Sequence, residues 1–297
     1  MKTLADIGED ALVRRITGRL HSDKSVLIGP GDDCAVVQGP ARGQALVLKT
    51  DTIVEGVHFT FDTPARLVGR KAVARVLSDF AAMAATPRHA LVTLIAPVST
   101  QVKRILDLYQ GMEKIAREHG VRIVGGETSR GGQLILTISM SGTLPHPCRL
   151  TRAAASAGDF IAVTGRLGGS IRGRHLKFQP RLKEAHWLAQ NARINAMMDI
   201  SDGLAKDLPR LADASGLGFE LQHAALPRSP GCTIAQALND GEDYELLLTL
   251  PARTAEKTAA AFNRSFPKVR MTLIGHMLAD AAQRNLDLHG GWDHFLK

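Results

Sequence analysis

Gln44-Ala-Leu-Val-Leu-Lys49, continuing as Thr50-Asp51-Thr52-Ile53-Val54-Glu55-Gly56-Val57-His58-Phe59, is the stretch from which the rest of the chain can be read. Its first six residues are the short apolar run of a buried strand. A hydroxyl and a carboxylate, Thr50 and Asp51, then emerge together at the strand's end, with Gly56 and His58 a few residues on. Strand ends are where a rigid sheet presents side chains to a site. A strand followed by a polar turn would look the same in isolation, so the decision rests on whether acids recur elsewhere in the same setting.

They recur along the whole chain. The strand at 26–28 runs into Gly29-Pro-Gly-Asp-Asp33, a tight turn with two acids at its tip. Residues 64–85 read as a helix with proline in its first turn. Asp79 lies among its apolar side chains Leu67, Val68, Ala72, Val76, Leu77, Phe80 and Met83. There it either turns to the rim or is paired or metal-bound, since an unpaired buried acid is strongly unfavourable. A strand at 121–124 delivers Gly125, Gly126, Glu127 and Thr128. Glycines after a strand let the backbone approach a phosphate, with an acid beside them for an accompanying cation. Asp199 and Asp202 end a strand beginning at Ala196, and Ser201 between them is placed to N-cap a helix over 203–214. A last acidic group, Asp240, Glu242, Asp243 and Glu245, leads into a strand over 246–250.

Helices are expected at 6–20, 100–119, 180–191 and 253–266, and strands at 89–97, 134–144, 159–164 and 269–278. The class is α/β. The pattern pauses around Pro145 and Pro147, which divides the chain into domains 1–146 and 147–297. A length of 297 residues suits two domains with ample core. No apolar run reaches the roughly 20 residues of a membrane span. The first ten residues lack the apolar centre of a secretory signal, so a cytoplasmic protein is expected. Cys34, Cys148 and Cys232 are scattered with no C-x-x-C pair, against both a disulfide framework and a zinc site. The formal charge is +8, with basic residues thickening between Arg149 and Lys183. Nucleic acid is disfavoured as the partner, because aromatic residues are only 4% and no recognition motif accompanies the charges. A phosphorylated small molecule would use the same charges, and a solvated basic face accounts for most of them.

Clustered carboxylates repel one another unless cations neutralise them. Oxygen ligands without His or Cys clusters point to Mg²⁺, which keeps waters and binds substrate phosphates. P-loop, kinase, zincin and nucleophile-elbow motifs are all missing from the sequence. A nucleotide enzyme of this kind binds phosphate through metal and backbone.

Gly31-Asp-Asp33, Thr50-Asp51, Glu55-Gly-Val-His58-Phe59, Leu77-Ser-Asp79, Gly125-Gly-Glu127-Thr128, Thr151-Arg152, Asp199-Ile-Ser-Asp202-Gly-Leu204, Gly241-Glu-Asp-Tyr-Glu-Leu246 and Gly291-Trp-Asp-His-Phe295 occur in this order. Together they resemble the thiamine-monophosphate kinase family, within the aminoimidazole ribonucleotide synthetase-like superfamily, over nearly the whole chain. The resemblance implies an N-terminal α/β domain that dimerises through its sheet and a C-terminal α+β domain. It implies transfer of phosphate from ATP to thiamine monophosphate, giving thiamine diphosphate. By the same resemblance Asp33, Thr50, Asp51, Asp79, Glu127, Asp199 and Asp202 hold Mg²⁺ ions, Asp51 and Asp202 being the most critical. Gly126, Glu127, Arg152 and Ser201 contact ATP, and His58, Glu242 and Trp292 contact thiamine monophosphate.

Four departures stand out, one being a segment between Thr164 and Asp199 that is shorter than usual and more basic. Lys49 replaces a small hydroxyl residue, Glu127 an aspartate, and Arg75-Val76 a common Val-Asn pair. They imply a metal number or affinity unlike the family norm. Two alternatives follow: a relative acting on another phosphorylated substrate, or a weakly catalytic module that binds nucleotide and thiamine phosphate.

Overall fold

The structure, a computed structural model, describes residues 6–17, 23–39, 43–145, 150–286 and 290–295. A short helix α1 (Gly8–Thr17) precedes an antiparallel meander of β1 (Val26–Ile28), β2 (Ala35–Gln38) and β3 (Gln44–Val54). Helix α2 (Ala65–Ala82), β4 (Thr86–Ala96), α3 (Val102–Glu118), β5 (Arg122–Arg130) and β6 (Ile135–Pro145) complete the first half. The resulting sheet has six strands in the order β1-β2-β3-β6-β4-β5. Its β4 and β5 are parallel, because α3 carries the chain back between them.

The second half begins with β7 (Phe160–Thr164), α4 (Leu182–Asn191), β8 (Ala196–Asp199) and α5 (Leu204–Ser215). It continues through β9 (Gly218–Leu221), α6 (Ile234–Asn239), β10 (Leu246–Leu250), α7 (Ala255–Ser265) and β11 (Met271–Leu278). These five strands pair antiparallel as β8-β10-β7-β11-β9. The fold is the expected mixture of helices with two sheets. Pro147 and Cys148 lie outside the described residues, as do 18–20 of the expected first helix. Cys34 and Cys232 are free and buried. No helix among the described residues is long and apolar enough to cross a membrane.

Helix α2 organises the molecule. It is buried almost all round, from Val68 to Ala82, as a helix packed on both sides must be. One side faces the first sheet and α3, and another meets α4 and β8 of the second half. Against α3 the contact is backbone to backbone: a Cβ on Gly69 would lie 2.0 Å from the Leu108 carbonyl oxygen, and one on Gly111 2.0 Å from that of Arg66. One apolar cluster runs from Val47, Val76 and Ile138 of the first half to Phe178, Leu188 and Leu246 of the second, so the two halves share a core.

Two strand readings change. The sequence ends β3 at Lys49, but pairing with β6 continues to Val54, with Asp51 opposite Ile138. The β-branched Thr50, Thr52, Ile53 and Val54 favour that extension. Side chains alternate along a strand. Lys49 and Asp51 therefore share the α2 face with Val47 and Ile53, while Thr50 turns to the other face, its hydroxyl 3.0 Å from that of Ser139. Likewise β5 does not stop at Val124. Gly125, Gly126 and Glu127 lie within it, Glu127 opposite Thr93.

Candidate active site

Three carboxylates converge where the halves meet. Asp33 comes from the turn after β1, Asp79 from the last turn of α2 and Asp199 from the end of β8. One oxygen of each lies within 4.8 Å of the others, and all three residues are buried. Burial and repulsion from neighbouring acids act in the same sense on Asp79 and Asp199. Burial first, then neighbouring Asp33, pushes the Asp199 carboxyl up to about 7. Burial pushes Asp79 well above the carboxylate range, against the opposing pull of Lys49.

Protein cations reach Asp33 and Asp79, and likewise Asp51 and Asp202. Arg152 donates to Asp33 through Nη2 at 2.8 Å and Nε at 3.2 Å. Lys49 Nζ donates to Asp79 at 2.7 Å. Arg75 Nε lies 3.0 Å from Asp51 Oδ2. Arg210 Nη1 donates to Asp202 at 2.6 Å and is shared with Asp207. Asp199 instead accepts from the Ser78 hydroxyl at 2.6 Å.

Next to this cluster, Lys71 joins two of the residues expected at the substrate. It has no accessible surface, and its ammonium donates to the His58 carbonyl at 2.7 Å and to Glu242 Oε2 at 2.7 Å. His175 Nδ1 lies 2.8 Å from the same ammonium and 2.9 Å from Glu242. Burial works against the charge of Glu242, but His175 and Lys71 outweigh it and hold the carboxyl at about 2. Lys71 itself is lowered to about 8, burial exceeding the pull of Glu242. Glu242 and Tyr244 both have φ of 52°, a left-handed backbone that non-glycine residues adopt where surrounding structure enforces it.

His58 is fixed by the turn that closes β3. Its amide donates to the Val54 carbonyl, and its Nδ1 accepts the Val54 amide at 3.1 Å. Burial, then Arg75, lowers the ring to about 4, so it is neutral at pH 7 with its proton on Nε2. His294 stands 5.4 Å from His58 and 5.9 Å from Trp292, ring centre to ring centre. Trp292 is half exposed, while its amide is anchored on the Asp202 carbonyl at 2.8 Å. His58, Glu242 and Trp292 thus line one region.

The structure does not bring every expected residue there. Thr50 offers its hydroxyl to the opposite face of the sheet. Gly126 and Glu127 are exposed on edge strand β5, three strand spacings or roughly 14 Å from β3. Ser201 does not cap α5. Gly203 holds the N-cap position without a side-chain bond, and Asp207 accepts the Ser201 and Asp202 amides at 3.0 and 2.9 Å. Of the basic stretch read as a solvated face, Arg152, Arg174 and Arg181 are in ion pairs with the buried acids Asp33, Asp243 and Glu245. Arg149 lies outside the described residues.

Lys71, Ser78, His175 and His294 were not expected at the site. A signal for the first existed. Lys71, Arg75 and Asp79 recur every four residues on α2, which places a charged stripe along one face among the buried side chains.

Residues 31–144 match the profile of AIR synthase related protein, N-terminal domain, and residues 149–284 that of the C-terminal domain. The chain belongs to the AIR synthase related family. Among similar proteins, the thiamine-monophosphate kinase of Rhodopirellula baltica is 34% identical over 288 residues, covering 91% of this chain and 89% of its own. The Escherichia coli K12 enzyme of the same name is 33% identical over 303 residues, covering 92% and 91%. A solved structure, AaThiL complexed with AMPPCP and TMP, superposes with a TM-score of 0.86 at 29% identity over 99% of both chains.

Proposed function

We propose that this chain transfers the γ-phosphoryl group of ATP to thiamine monophosphate, forming thiamine diphosphate and ADP. The observation that carries the reading is the meeting of Asp33, Asp79 and Asp199, drawn from both halves, beside the His58, Glu242 and Trp292 region. Relatives of the same length and fold carry that activity in their names, and AaThiL was solved with an ATP analogue and TMP.

In such a transfer a phosphate oxygen of thiamine monophosphate forms the new bond to the γ-phosphorus. The bond from that phosphorus to the β,γ-bridging oxygen breaks, and ADP leaves with the electron pair. The attacking oxygen is already an anion, so no general base is needed, and the chain's work is to align two repelling anions. The neutral His58 offers an Nε2–H donor. The exposed ring of Trp292 suits stacking on a cationic or heteroaromatic ring. Glu242, kept ionised by Lys71, suits the cationic end of a thiamine ester.

The all-oxygen donor set of Asp33, Asp79 and Asp199 fits Mg²⁺, with Asp51 and Asp202 next to it. When bound, such an ion would screen the phosphate charges against each other. Gly126, Glu127, Arg152 and Ser201 are the proposed nucleotide contacts. We take the domain division at 146/147 and the cytoplasm, where ATP is available, as the site of action. The outer face of the first sheet, which exposes Leu48, Leu91 and Val124 around a depression of about 530 Å³, is the proposed homodimer interface.

The test incubates protein, Mg²⁺, ATP and thiamine monophosphate and measures thiamine diphosphate. Formation of the product supports the reading. Binding of both ligands without product would replace it with a binding module, a second reading that the cations on Asp51 and Asp79 favour. No binding of thiamine monophosphate would move the protein to another phosphorylated substrate.

A further inference from the structure

We infer that Lys49 serves as a built-in cation of the carboxylate cluster and takes the place of one divalent ion in the resting protein. Lys49 stands on the same face of β3 as Asp51, so strand alternation aims it at α2. Its ammonium is 2.7 Å from Asp79 Oδ1, one of the three acids whose oxygens gather within 4.8 Å. Only a quarter of the side chain is accessible, so the ammonium is held against Asp79 rather than in open solvent. An ammonium and a divalent ion sharing one carboxylate repel each other strongly in a water-poor setting.

Arg75 has the same effect one step away. Its Nε lies 3.0 Å from Asp51 Oδ2, and its Nη1 is buried without a hydrogen-bond partner. Arg152 pairs with Asp33 in the same way, whereas Arg210 is spread over Asp202, Asp207 and Asp10. Among the described residues Asp199 is the one of Asp33, Asp51, Asp79 and Asp199 with no basic group bonded to it. Three protein cations thus offset much of the charge of these four acids, and the drive to take up free divalent ions is correspondingly reduced. Metal then arrives mainly with the nucleotide, whose phosphates bring the extra negative charge.

The inference rests on reading these carboxylates as a divalent-cation site, but not on the identity of the substrate. Its test therefore reads metal binding to the full chain without nucleotide. Mn²⁺ is titrated by isothermal calorimetry and by electron paramagnetic resonance of the free ion. Wild-type protein is compared with Lys49→Met and Lys49→Gln, and with Asp199→Asn in each Lys49 background. The variants should bind Mn²⁺ at least about tenfold more tightly than wild type, with one additional site per chain, and Asp199→Asn should remove the gain.

Equal stoichiometry and affinity in wild type and both variants would overturn the inference while leaving the cation site standing. If neither wild type nor variants bind Mn²⁺, the inference and the cation-site reading fall together. Should the variants unfold, recovery of native circular dichroism on adding Mn²⁺ supports the exchange of ammonium for metal. Unfolding that Mn²⁺ does not reverse counts against it.

Discussion

Replacing Lys71 by methionine keeps most of the side-chain volume and removes the one charge that joins α2 to His58, His175 and Glu242. In the native protein Glu242 sits at about 2 against an ordinary 4.5. A depressed carboxylate contributes stability that is present above pH 4.5 and lost as the pH falls towards 2. The gap is worth about 3 kcal/mol. Lys71 sits at about 8 against an ordinary 10.5, a cost of similar size, about 3 kcal/mol, present below pH 8 and relieved as the pH rises towards 10.5.

At neutral pH the two effects oppose each other, as in buried ion pairs generally. Breaking the pair is another matter. Lys71→Met leaves the Glu242 carboxylate with His175 and the Tyr244 hydroxyl, and the His58 carbonyl without its Lys71 donor. The expected loss is about 3–5 kcal/mol, or roughly 6–10 °C in melting temperature at this chain length. Burial still raises the Glu242 carboxyl and His175 still lowers it, so it should rise from about 2 only towards its ordinary range. The double variant Lys71→Met/Glu242→Gln should recover most of the loss, because no uncompensated charge remains. Thermal unfolding by circular dichroism at neutral pH compares both variants with wild type. A single variant within about 0.5 kcal/mol of wild type, or a double variant no better than the single, would refute the reasoning.

Other outcomes follow from the same geometry. Gly69→Ala places a Cβ 2.0 Å from the Leu108 carbonyl oxygen and should destabilise by at least about 2 kcal/mol, read in a urea titration; a neutral result would mean α2 and α3 can move apart. Trp292→Ala should raise KM for thiamine monophosphate about 3- to 30-fold with kcat little changed, because an exposed stacking face contributes binding rather than chemistry; an unchanged KM would exclude stacking. Chelation with EDTA should stop thiamine diphosphate formation and leave far-ultraviolet circular dichroism intact, since protein cations already neutralise most of the acids; loss of secondary structure would contradict that balance.

Much of the fold was legible because its signals are local. The apolar run at 246–250 reads as a strand and forms β10 over Leu246–Leu250, and the periodicity around Leu108, Met112 and Ile115 reads as the buried side of α3. Where reading failed, pairing partners decided. The β-branched residues of β3 permit a longer strand, but it is pairing with β6 that carries it to Val54 and so turns Thr50 away from Asp51. Gly125 and Gly126 look like a strand's end until β4 lies alongside them.

By itself the sequence determined which chemistry was available: acids from both halves, no thiol or imidazole cluster for a soft metal, and an aromatic near the end of the chain. Tertiary structure alone decided which acids meet and which cations reach them. Lys71 touches His175 and Glu242, residues 104 and 171 positions away, and Ser78 touches Asp199 across 121. Such contacts are set by strand register and by the docking of both halves on α2. Neither leaves a trace in the local periodicity of a chain, because a side chain's charge is written in its own residue while its partner is chosen by the path of the backbone.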